Sequence, residues 1–186
     1  GGLNTGALVG EIDSLSQKVS IENCQVEATV GNSYINNAKP YIGGLVGNQH
    51  GGELTITQSS SVGDFFGYGS TGGLIGIVTG KSNIINSYNV ATISNAFNFY
   101  NLVGSISGSY YSGTTLFSPQ VNVENSYALV ISSKNKELTY VHLMRGNATF
   151  KNVFYYLYSG SAETNGQALF KTSEEQIKDG SLATYP

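Results

Sequence analysis

Apolar residues in this chain fall into short runs, most of four to eight residues, bounded by Gly, Ser or Asn, and no helical period links one run to the next. Runs of this length with such boundaries predict strands. They also recur. One repeated segment is Ala7-Leu8-Val9-Gly10, Gly44-Leu45-Val46-Gly47, Gly73-Leu74-Ile75-Gly76 and Asn101-Leu102-Val103-Gly104, with final glycines 37, 29 and 28 residues apart. His142-Leu143-Met144-Arg145-Gly146 is a degenerate fifth copy whose glycine arrives one residue late.

A second segment follows each of the first, starting at Ile21, Ile56, Ile84, Val123 and Phe150. These five align without a gap. Their third column is Asn23, Gln58, Asn86, Asn125 and Asn152, and their fourth is Cys24, Ser59, Ser87, Ser126 and Val153. Amide side chains in one column and small ones in the next are hard to obtain from composition alone.

A unit of about 28 residues cannot bury its own apolar face, whereas stacked copies share one continuous core. The predicted fold is therefore all-β, a parallel β-solenoid of about five repeats over residues 1–170. Equivalent side chains would stack about 4.8 Å apart. Asn23, Gln58, Asn86, Asn125 and Asn152 would then form a structural ladder of amides bonding along the column, which would satisfy groups costly to bury. The small column suits an inward bend, and Tyr88, Tyr127 and Phe154 predict an aromatic stack. The glycines around each Leu-Val or Leu-Ile pair imply corners, through positive φ or close backbone approach.

Unequal spacing places inserts between the columns, and inserts in repeat arrays map to loops. Aromatics there, namely Phe97, Phe99, Tyr100, Tyr110 and Tyr111, are the candidate contacts for a partner. Residues 171–186 change character. Thr172 with Glu175 forms a capping-box pattern and Gly180 a stop, which predicts a short capping helix at Ser173–Asp179.

Composition narrows the function. Only 11% of residues are charged, the net charge is −3 and Arg145 is the sole arginine, so the electrostatic footprint of a nucleic-acid binder is missing. No apolar run is long enough for a membrane helix, so no membrane insertion is expected in this segment. A single cysteine, Cys24, excludes an internal disulfide. A first residue of Gly is what a piece of a longer chain would show, and Asn147-Ala148-Thr149 is a glycosylation sequon.

Catalytic patterns are thin. Glu11 and Asp13 would share a strand face, with Glu53 and Asp64 the other carboxylates to consider. A glycosidase needs two carboxyls across a sugar with one pKa raised, and these sit among Ser, Gln and Gly as solvated charges. His50 and His142 stand apart, which does not make a metal site. Asp13, Asp64 and Asp179 lack calcium-loop spacing, and Cys24 has no identifiable base beside it. The expectation is no catalytic, metal or cofactor site.

Gly44–Gly47 with Ile56-Thr57-Gln58-Ser59, and more clearly Gly73–Gly76 with Ile84-Ile85-Asn86-Ser87-Tyr88, resemble the GLUG repeat. This repeat occurs in hemagglutinin-like adhesins and other surface proteins. The likeness covers nearly the whole chain, with insertions in the first and fourth units. It implies a right-handed β-helix, the hand also favoured by parallel crossovers, and it brings no catalytic residues. The expected role is a non-enzymatic structural or adhesive β-solenoid segment of a larger extracellular or cell-surface protein. Its partner would be a protein or glycan at a surface, or another copy end to end. The alternative is a carbohydrate-binding or carbohydrate-processing β-helix.

Overall fold

A computed structural model describes residues 4–13, 17–32, 40–106, 110–112, 115–117, 119–133, 142–144, 148–157 and 169–171. Every regular element among them is a β-strand. Fifteen strands join one continuous sheet, and two short ones, Tyr110–Ser112 and Thr115–Phe117, form a separate antiparallel pair. All pairings within the large sheet are parallel. The protein is thus all-β, with parallel strands wound in the manner of a β-helix or solenoid.

Alternation decides what each strand buries. In Glu53–Thr57, Leu54 and Ile56 are fully buried while Glu53, Thr55 and Thr57 face outward. Lys81–Ile85 repeats this with Ser82 and Ile84 inside. Pairing runs Ile21–Ile56–Ile84–Val123–Phe150 in one column and Cys24–Ser59–Ser87–Ser126–Val153 in another, with the connecting pairs given by the strands and the corner bonds. This register reproduces the ungapped alignment of the five sequence segments. A slip of one residue would turn the whole inner set toward water.

Past the corner, strand Gln25–Gly31 pairs with Ser60–Gly72, which pairs with Tyr88–Ile106, which pairs with Gln120–Ser133. On the side of the Gly-rich segments, Val9–Asp13, Val46–His50, Ile75–Val78 and the end of Tyr88–Ile106 stack in order. Leu45, Val46, Leu54, Ile56, Leu74, Ile75, Ile84 and Val121 are fully buried in one core cluster.

The glycines ending Asn4–Gly6, Tyr41–Gly43 and Ser60–Gly72 act through close approach. A Cβ on Gly6, Gly43 or Gly72 would stand 2.1, 1.9 or 1.9 Å from the carbonyl oxygen of Val9, Val46 or Ile75. None of the three has positive φ. The turn closes only where no side chain intervenes.

One expectation changes. Phe97, Phe99 and Tyr100 lie within strand Tyr88–Ile106, not in a loop, and Phe99 and Tyr100 pair with Thr71 and Gly72. The register shifts between Ala96 and Asn98, so Phe97 marks a bulge. Strand Leu169–Lys171 pairs with Val153–Tyr155. The helix predicted at Ser173–Asp179 lies outside the described residues, as do Arg145 and Asn147.

Candidate functional site

The side chains most tightly organised by the fold line the corner between the two halves of each sequence segment. Asn23, Gln58, Asn86, Asn125 and Asn152 all take left-handed backbone conformation, with φ of 54°, 50°, 50°, 49° and 52°. Asn tolerates that region better than most non-glycine residues. The first four side chains are exposed and Asn152 is half-buried. Asn152 Nδ2 donates to Asn125 Oδ1 at 3.0 Å. One amide step of the column, Asn152 to Asn125, is thus bonded, and the column lies largely on the outside. Its amide chemistry serves the bend of the backbone rather than the satisfaction of a buried ladder.

The buried ladder is the small column beside it. Ser59, Ser87 and Ser126 are each 1% exposed. Each hydroxyl donates to the carbonyl two residues back, at 2.8 Å in all three: Thr57, Ile85 and Glu124. Each oxygen also accepts a backbone N–H from the preceding coil, at 3.1 Å: Cys24 to Ser59, Ser59 to Ser87, and Ser87 to Ser126. The residue before each corner accepts as well, since Asn23, Gln58 and Asn86 donate their N–H to Thr57, Ile85 and Glu124. Parallel pairing thus continues through the bend. Small size was legible in the sequence, but the repeated hydroxyl was the stronger signal.

A second polar row runs along the outer face of the same strands. Thr149 Oγ1 donates to Asn122 Oδ1 at 2.6 Å, Asn122 Nδ2 to Asn83 Oδ1 at 2.9 Å, and Asn83 Nδ2 to Glu53 Oε1 at 3.0 Å. Lys81 and Lys18 approach the same carboxylate at 3.2 and 3.6 Å. The Lys81 hydrogen bond, ahead of a smaller opposing effect of burial, holds the Glu53 carboxyl below its ordinary pKa. The row bridges four coils with hydrogen bonds that polarise one another.

Other candidate residues are placed as follows. Glu11 and Asp13 do share the exposed face of Val9–Asp13, where Glu11 accepts from Asn48 at 2.8 Å and Asp13 faces His50 Nδ1 at 3.1 Å. Glu53 and Asp64 lie on separate strands, and Glu53 is committed to its lysines. Cys24 is half-buried, with Sγ 3.4 Å from the Glu22 carbonyl. His142 sits in strand His142–Met144. Among the described residues no cluster of three His, Cys, Asp or Glu side chains is placed to hold a metal.

Tyr88 and Tyr127 stack with ring centroids 4.5 Å apart and planes 9° from parallel. Phe154 follows in the same column. Burial, then the neighbouring Tyr88, pushes the Tyr127 phenol up to about 12. Tyr110 and Tyr111 lie in the antiparallel pair, opposite Phe117 and Leu116. Gln49 was missed altogether. It is 1% exposed, and its amide donates to the Gly51 carbonyl at 2.6 Å while accepting from Ser82 Oγ at 2.7 Å. It ties down the corner where Gly51 and Gly52 have φ of 71° and 61°.

No protein-family model, curated protein or solved structure matches the chain.

Proposed function

We propose that the chain is a non-enzymatic structural or adhesive segment of a larger extracellular or cell-surface protein. In this reading it is a right-handed solenoid of about five coils, closed by a short C-terminal capping helix. The observation that carries it is the hydroxyl ladder Ser59–Ser87–Ser126, bonded from coil to coil through the bend. Buried hydroxyls bonded to the backbone of adjacent coils favour stiffness along the stack. The resemblance of Gly73–Gly76 and Ile84–Tyr88 to GLUG repeats supports the surface setting.

Contact with a protein or glycan falls to what departs from the repeat. The antiparallel pair Tyr110–Ser112 and Thr115–Phe117 stands outside the parallel sheet and carries two of the candidate aromatics, Tyr110 and Tyr111. Phe97, Phe99 and Tyr100, held in a strand of the main sheet, are weaker candidates.

The test displays the chain on beads and measures capture on glycan and extracellular-matrix protein arrays, alongside sugar release from a polysaccharide panel. Binding that is lost in Tyr110→Ser/Tyr111→Ser at unchanged Tm, with no sugar released, is the expected result. Release of reducing ends would overturn the non-enzymatic reading.

A further inference from the structure

Inside the coil, on strand Tyr88–Ile106, Asn89 is fully buried, and neither its Oδ1 nor its Nδ2 has a hydrogen-bond partner in the chain. Its neighbour one coil down is Ser61, paired with it in parallel register, 1% exposed, and also without a partner for Oγ. Its neighbour one coil up is Ala128, which is buried and apolar. Three unpartnered polar atoms thus lie side by side in one inward-facing column. Asp64 Oδ1 and Thr71 Oγ1 are the other such atoms among the described residues, and neither is paired in register with a second one. The buried Gln49 amide finds the Gly51 carbonyl and the Ser82 hydroxyl, and Ser59, Ser87 and Ser126 are bonded on both sides.

Side chains on paired parallel strands sit about 4.8 Å apart, a step that Thr149 and Asn122 close directly at 2.6 Å by turning toward each other, whereas Ser61 and Asn89 make no such bond. Two hydrogen bonds of about 2.8 Å meeting at a near-tetrahedral angle span about 4.6 Å. One water molecule therefore matches the step between these coils. The residues that flank Asn89 in the column, Ser61 and Ala128, both carry small side chains. A polar recess with two or more convergent partners is where buried water is retained.

We propose that Ser61 and Asn89 form an internal water-binding site, with a single molecule bridging Ser61 Oγ and the Asn89 amide. The water completes the stack at the one place where Ser and Asn, rather than Val or Ala, face inward in this column. It makes these two residues a unit whose stability contribution is shared.

The test has a direct and an energetic arm. In the folded chain, water-selective NMR should show cross-peaks from a long-lived water to the Asn89 side-chain amide protons, and Ser61→Ala should remove them. Absence of such a water in the unaltered chain would overturn the site. In thermal unfolding, Asn89→Leu, which keeps the volume but cannot bind water, should lower Tm by about 2–6 °C. A rise in Tm would mean that the amide is a true orphan, relieved by replacement, and would also overturn the proposal. Should Asn89→Leu fail to fold, Ser61→Ala decides: a fall in Tm supports the bridge, and a rise refutes it.

Discussion

Replacing Ser87 by Ala isolates the hydroxyl ladder from everything else at the corner. The change removes one oxygen at a side chain that is 1% exposed. Two bonds go with it: the donation to the Ile85 carbonyl at 2.8 Å and the acceptance of the Ser59 N–H at 3.1 Å. Their consequences differ. The Ile85 carbonyl keeps the Gln58 N–H at 3.1 Å, so its loss is small. The Ser59 N–H belongs to a buried residue and is left unpaired, at a cost of about 1–3 kcal/mol. Together the two give roughly 2–3 kcal/mol. For a chain of 186 residues that lowers Tm by about 4–12 °C. Urea denaturation followed by circular dichroism measures it, with an unchanged m-value showing that the same surface is exposed on unfolding. Glu27→Gln, at an exposed site two coils away, serves as the control. A Ser87→Ala loss no larger than that of the control would refute the ladder as a source of stability.

At Asn86 the backbone carries the energy. Asn86→Ala should cost about 1–2 kcal/mol through its φ of 50°, while Asn86→Gly should stay close to the parent chain. Equal losses in the two variants, read by the same denaturation, would return the energy to the side chain. Because Glu53 has its pKa depressed in the folded chain, its stabilisation is complete above the ordinary carboxylate range and fades as pH falls through the folded value. Glu53→Gln should therefore flatten the acid limb of a stability-versus-pH curve, and an unaltered limb would refute this. Tyr127 has the opposite sense, a phenol raised from 10.0 to about 12. Its contribution is complete below pH 10 and is lost as pH climbs toward 12, so Tyr127→Phe should remove one late-titrating phenolate from an ultraviolet titration, and an unchanged late limb would refute this.

Much of the fold was legible in the sequence because parallel stacking converts alignment into contact. The columns headed by Ile21, Ile56, Ile84, Val123 and Phe150 are the pairing register itself. Which face each column takes was harder to read. An amide residue precedes a serine at Gln58-Ser59, Asn86-Ser87 and Asn125-Ser126, and both could bond along the stack. The left-handed turn sends the first outward and the second inward, a choice settled by φ rather than by residue chemistry. The row from Glu53 to Thr149 was hidden for another reason: its members differ in type, and only the strand register brings them together. Phe97–Tyr100 read as an insert because polar residues interrupt it, yet a bulge absorbs the irregularity within the strand.

The corner bonds bear on how the protein ages. An asparagine followed by serine is open to deamidation, in which the next backbone nitrogen attacks the side-chain carbonyl, one reason Asn counts as thermolabile. At Asn86 that nitrogen belongs to Ser87, whose N–H is held by Ser126 Oγ at 3.1 Å. At Asn23 the Cys24 N–H is held in the same way by Ser59 Oγ. At Asn125 the next coil presents Val153 beside Ser126, a side chain with no hydroxyl to offer. On prolonged storage at mildly alkaline pH, peptide mapping should find isoaspartate at Asn125 well before Asn86. Chemical lifetime is thus set coil by coil, by whether the following unit brings a serine.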